Sequence, residues 1–145
     1  MSEEVAEWVA LRVPGCQRGF EPCKAIGVER DGRLIAGIVY HNWSPEAEVI
    51  EVTGAADDRR WMTREILGGL FGYPFGFCQM IIAQHDRENH IRRIWKALGA
   101  DEYVIPRLRG RDRDGYIATI TKEQWAASPF NPERDHGKTE IAASA

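Results

Sequence analysis

At 145 residues and 16.4 kDa the chain has the length of one compact domain and is too short for two ordinary ones. Hydrophobic residues make up 43% and charged residues 28%, the balance of a soluble globular protein that folds without a metal or disulfide. The 22 acidic and 19 basic residues leave a net charge of -3, which argues against a general nucleic-acid binder, and no apolar run approaches the ~20 residues that span a bilayer. The start, MSEEVAEWVA, is acidic where a secretory signal is basic, which points to a cytoplasmic protein. Cys16, Cys23 and Cys78 are an odd number in no zinc spacing, so they read as reduced thiols and no metal site is suggested. A Cys16–Cys23 bridge is the alternative.

The spacing of Val5, Trp8 and Val9 predicts a short helix over 4–12, closed by Pro14-Gly15, and residues 15–23 read as loop. Two β-rich runs follow, 24–30 and 33–41, joined by Asp31-Gly32, the dipeptide that best fits the two positive-φ positions of a tight hairpin turn. Asn42-Trp43-Ser44-Pro45 reads as the turn into a third strand, 47–53, completing an antiparallel meander.

Residues 59–71 carry the apolar spacing of a helix, with Asp57 and Asp58 placed to cap it. Gly68-Gly69 weaken that helix and 72–77 break it. The run 78–84 reads as a strand buried on both faces, which the crossover from 47–53 brings alongside that third strand in parallel. A second helix spans 88–98, capped by His85 or Asp86 and closed by Gly99, with Ile91, Ile94, Trp95 and Leu98 on one stripe. A hairpin of 102–109 and 115–121 follows, and the polar stretch 128–145 is expected to be a loosely ordered tail. The expected architecture is thus one α/β domain over 1–127: a mixed, mostly antiparallel sheet with helices on both faces.

Three stretches in this order resemble the GNAT superfamily of acetyl-CoA-dependent N-acetyltransferases: AIGVERDGRLIAGIVYHNW, AEVIEVTGAADDRRWMTREIL and CQMIIAQHDRENHIRRIWKALGADE. The resemblance covers about residues 23–125 and is similar in particular to short GNAT-like proteins of phages and prophages. It implies that the pantetheine arm of acetyl-CoA bonds to the main chain of the strand holding Val52, Thr53 and Gly54, where a backbone N–H polarises the thioester carbonyl. It also implies that the pyrophosphate rests on N–H groups at the start of the next helix. The acceptor is then a primary amine on a small molecule or protein, attacking after a base has removed its proton.

The chain departs from the family pattern at several points. Its pyrophosphate segment, 56–64, contains no glycine, so Arg59, Arg60, Thr63 and Arg64 are the candidates to hold phosphate directly; as solvated helix-face residues the arginines have the alternative reading. Asp57 and Asp58 would repel a phosphate. Asn89 loosely matches the family's asparagine at the second helix, or is only a helix-start residue. Trp95 replaces the tyrosine that protonates the departing thiolate and reads as core; Tyr103 and Tyr116 are alternative acids without a motif.

Glu51 and Glu48 are candidate bases on the third strand, pointing to opposite faces, and His41, placed at the turn before it, is their rival. Only about 22 residues precede Lys24, fewer than the strand and two helices that build the family's acceptor side. That side is either open or covered by a second subunit, and a homodimer pairing the sheets would protect an exposed edge. The leading reading is an N-acetyltransferase. The alternative is a GNAT-fold binding or assembly protein that has lost catalysis, of phage origin. The arginines of RLRGRDRDG at 107–115 are interleaved with aspartates, which favours a solvated hairpin loop over nucleic-acid contact.

Overall fold

The structure is a computed structural model that describes residues 2–13, 23–57, 59–87 and 90–132. It divides into two compact units, Met1–Thr63 and Arg64–Ala145.

The first unit is a helix, α1 (Ser2–Arg12), on a three-stranded antiparallel meander of β1 (Cys23–Arg30), β2 (Arg33–Ser44) and β3 (Val49–Ala56). The first hairpin turns as expected, with φ of 55° at Asp31 and 75° at Gly32. Val5, Ala6, Val9 and Ala10 of α1 pack with Val39 into a dry core. Gly27 and Gly37 lie opposite one another in β1 and β2, and they allow this close approach. A Cβ on Gly37 would stand 2.9 Å from both Val5 Cγ1 and Val9 Cγ2.

Four expectations are corrected here. β2 continues through His41 to Ser44, because a bulge between His41 and Ser44 absorbs the irregularity read as a turn. The turn falls at 45–48, so Glu48 sits in it at φ 57° and not on the strand beside Glu51. The helix expected over 59–71 is a 3₁₀ turn, Arg59–Trp61, and then α2, which begins only at Arg64. Asp57 does not cap it: its N–H bonds the Ile35 carbonyl, and its carboxylate receives Arg12 Nε at 2.9 Å and Nη2 at 3.3 Å. Asp58, like Cys16 and the bridge considered for it, lies outside the described residues.

The second unit contains α2 (Arg64–Gly72), β4 (Met80–His85), α3 (Ile91–Leu98), β5 (Asp101–Gly110), β6 (Arg113–Thr121) and α4 (Lys122–Ala127). Its strands are antiparallel in the order β4-β6-β5, which leaves β5 at an edge. Trp95, Leu98, Phe71, Phe75 and Trp125 are buried, and Phe71 meets the Trp95 ring edge-on at 5.3 Å and stacks on Trp125 at 5.5 Å. Trp95 is therefore core. Gly99 at φ 98° closes α3.

Neither His85 nor Asp86 caps α3. His85 is the last residue of β4, and Asp86 is gripped by Arg109 and Arg113 from the β5–β6 hairpin. The hairpin loop is tighter than expected, a turn at 111–112 between strands that run on to Gly110 and Arg113. α4 was not anticipated; Thr121 and Gln124 form a reciprocal capping box at its start. Order also persists beyond 128. Ser128 and Asn131 are buried, Arg64 Nη1 donates to the Pro129 carbonyl at 3.0 Å, and Pro132 packs over Gly68.

Candidate active site

The polar cluster of the first unit lies where β2 and β3 pair. His41 and Glu51 are direct cross-strand partners, and Thr53 is two residues further along β3, on the same face. His41 Nε2 is 2.8 Å from Thr53 Oγ1 and 3.9 Å from Glu51 Oε2. The threonine hydroxyl both donates and accepts, so it serves either imidazole tautomer. Asn42 comes next, at φ 51° in the bulge, and its Nδ2 donates to Glu51 Oε1 at 3.0 Å. In a regular strand Asn42 would face away from Glu51; the bulge re-aims it.

His41 is 8% exposed. Burial lowers its pKa, and the charge of Glu51 pulls the other way and only partly compensates. The ring is therefore neutral at physiological pH. Glu51 is the more accessible of the pair, with 18% of its side chain exposed against 10% for His41. The cluster thus offers a reachable carboxylate whose two oxygens face Asn42 and His41, with the imidazole behind it. Glu51 and His41, rivals for one role in the sequence, stand side by side.

The residues expected to hold the cofactor are distributed differently. Val52 is buried, Thr53 half-buried and Gly54 exposed, in register with Tyr40, Val39 and Ile38 of β2. Arg60 is exposed in the 3₁₀ turn and Thr63 is exposed just before α2. Arg59 is in the same turn. Arg64 opens α2, with Glu65 beside it, and its guanidinium reaches the Pro129 carbonyl and lies 5.2 Å over the Phe130 ring. Asn89 lies outside the described residues. The Arg12 fork offsets the charge of Asp57, which precedes Arg59 and Arg60 in the sequence.

A second polar cluster, in the second unit, escaped the sequence reading. Arg92 Nε and Nη2 bond both Glu102 oxygens, at 2.9 and 2.7 Å, and the guanidinium lies 3.8 Å over Tyr116. His85 lies beneath, 5.7 Å from the Trp95 ring, and its Nδ1 is buried with no hydrogen-bond partner among the described residues. The alternating charges of 107–115 held the signal for the Asp86 contacts, but no spacing rule links Arg92 to Glu102. Among the described residues no group of three or more His, Cys, Asp or Glu could hold a metal ion, and no helix is long and apolar enough to cross a membrane.

No family profile matches the chain, and no curated protein does. Solved structures do. The chain is similar to a "probable acetyltransferase", with TM-score 0.61 and 17% identity over 71% of this chain and 63% of that one. It is similar to the spermidine N-acetyltransferase of Vibrio cholerae solved with CoA and spermine, with TM-score 0.62 and 15% identity over 72% and 69% of the two chains. A chimera of that Vibrio enzyme gives TM-score 0.63 and 14% identity over 86% and 82%. The chain spans less than two-thirds of the length of the first of these. With its six strands, their antiparallel pairings and their helices, the chain has the fold of the GNAT acetyltransferases.

Proposed function

We propose that the chain is an acetyl-CoA-dependent N-acetyltransferase that acts on a primary amine by direct transfer. The observation that carries the reading is the Glu51–His41–Thr53 cluster on β2 and β3 of a fold shared with acetyltransferases. In this reading Val52, Thr53 and Gly54 offer main-chain groups to the pantetheine arm, and Arg59, Arg60, Thr63, Arg64 and Asn89 are the candidates to bind the phosphates.

Glu51 is the general base. Its charge draws in the protonated amine, and it accepts the proton that must leave before nitrogen can attack. The nitrogen then bonds to the thioester carbonyl carbon and the C–S bond breaks. The nitrogen releases its second proton to solvent as the amide forms, and CoA departs as a thiolate that is protonated from solvent. His41 is a positioning residue. Neutral and buried, it backs Glu51 without competing for the substrate's charge. That the Vibrio enzyme was solved with a polyamine supports an amine acceptor in general.

The test is CoA thiol release from acetyl-CoA, followed with a panel of primary amines: a polyamine, an aminoglycoside and a lysine peptide. Amine-dependent release that disappears in Glu51→Gln supports the reading. Saturable acetyl-CoA binding without turnover on any amine would replace it with a binding or assembly role.

A further inference from the structure

We infer that Asn42 is the positioning residue of the Glu51 carboxylate: it holds one oxygen and leaves the other to take the proton of the amine. The inference rests on the proposed acetyl transfer, in which Glu51 is the base. The two oxygens of Glu51 are not equivalent. Oε1 accepts a hydrogen bond from Asn42 Nδ2 at 3.0 Å. Oε2 is 3.9 Å from His41 Nε2, beyond hydrogen-bond length, and that nitrogen is already engaged at 2.8 Å with Thr53 Oγ1. Among the described residues Oε2 has no hydrogen-bond partner, so it is the oxygen with its full acceptor capacity left.

The backbone shows what the asparagine contributes. His41 pairs with Glu51 and Ser44 with Val49, so Asn42 and Trp43 of β2 stand against the single residue Ile50 of β3. The extra residue breaks the strand's alternation and brings Asn42 round to Glu51. Asn42 pays for this with φ 51°, in the left-handed region that glycine enters without strain. Asparagine tolerates that region better than most residues, but glycine would fit it more easily and would carry no amide. The side chain is also exposed, and a hydrogen bond between two solvent-accessible groups adds little to stability. Its bond to Glu51 is what sets asparagine apart from glycine here.

A glutamate carboxylate turns freely about its side-chain bonds unless something holds it. A neutral amide holds it without cancelling its charge, which an arginine or lysine in the same place would do, so the carboxylate still attracts an ammonium ion. The proton then passes from the amine nitrogen to Oε2, while Asn42 keeps both of its amide hydrogens. An aspartate at 42 would suit the backbone as well as asparagine does. It would, however, set a second carboxylate against Oε1 and drive Glu51 from its place.

Steady-state kinetics on Asn42→Gly and Asn42→Asp, with CoA release from acetyl-CoA as the readout, test the assignment. Asn42→Gly should melt close to wild type and keep the KM for acetyl-CoA. It should lose about tenfold to a hundredfold in kcat/KM for the amine, the scale of a slightly misplaced catalytic group. Asn42→Asp should fall further, again at an unchanged KM for acetyl-CoA. A glycine variant as active as wild type would overturn the inference. So would losses that follow a fall in melting temperature or a rise in the KM for acetyl-CoA, because these mark a structural role. The Asn42 side-chain amide signal in a proton–nitrogen NMR spectrum reads the contact without turnover. It should move in Glu51→Ala, and an unmoved signal would overturn the inference. A wild type that shows the contact but releases no CoA with any amine refutes the acetyl-transfer reading and the role built on it. A wild type that turns over, with Asn42→Gly its equal, refutes the role of Asn42 alone.

Discussion

Acidification should destabilise this protein in a pH window set by His85. The ring is 8% exposed at the end of β4, against Trp95, with an unpartnered Nδ1. Its pKa falls from 6.5 to about 4, chiefly because burial penalises the charged form. Glu102 and Asp86 favour the imidazolium and Arg92 and Arg109 oppose it, so the surrounding charges do not rescue it. Glu102 is itself held below the usual carboxylate range, first by its hydrogen bond from Arg92.

The sign follows from which state takes the proton. The unfolded chain protonates His85 near 6.5 and the folded chain refuses to, so stability is intact above 6.5 and declines as the pH falls towards 4. At about 1.4 kcal/mol per pH unit the loss reaches roughly 3 kcal/mol, a large share of the ~5–15 kcal/mol that holds an ordinary domain together. Urea unfolding at steps across this window, on wild type and His85→Leu, isolates the term, because all other titrating groups are common to both proteins. Leucine also removes the orphan nitrogen, so the variant should be no less stable than wild type at neutral pH. Parallel stability curves for the two proteins between pH 6.5 and 4 would refute the reasoning.

Other perturbations probe other parts of the account. Gly37→Ala drives a methyl group into Val5 and Val9, so α1 must shift off the meander; a loss of about 1–3 kcal/mol in thermal or urea unfolding is expected, and an unchanged midpoint would contradict the packing. Glu51→Gln should lower kcat by about 10²–10⁴-fold with the fold intact. His41→Gln should lower it less and displace the acid limb of the pH–rate profile, and equal losses with an unmoved profile would count against a positioning role for His41. Arg60→Ala with Arg64→Ala should weaken acetyl-CoA binding by more than about 1 kcal/mol, and unchanged affinity in a titration would remove the arginines from the phosphate site.

Local chemistry made much of the fold legible in the sequence. Asp31-Gly32 could hardly be anything but a tight turn, and the Ile91–Leu98 stripe ending in Gly99 had the period and stop signal of a helix. Failures came where a distant partner decided the outcome. Asp57 looks like an N-cap until Arg12, 45 residues away, claims it. Ser128–Pro132 is too polar to suggest a core, but Arg64 and Gly68 give it a seat. Capping of α4 was readable, since Thr121-x-x-Gln124 has the spacing of a capping box.

The candidate site was half visible. Glu51 and His41 stood out as residues, but their adjacency depends on the β2–β3 register, and the bulge at Asn42 hides that register from any count along the chain. The Arg92–Glu102 fork is hidden for a similar reason, being a helix-to-strand contact.

Calorimetric titration of the full chain with acetyl-CoA tests the central claim most directly. The account predicts saturable heat, one cofactor per chain, and a rise in melting temperature as the ligand loads. An absence of both heat and thermal shift at millimolar acetyl-CoA would contradict it.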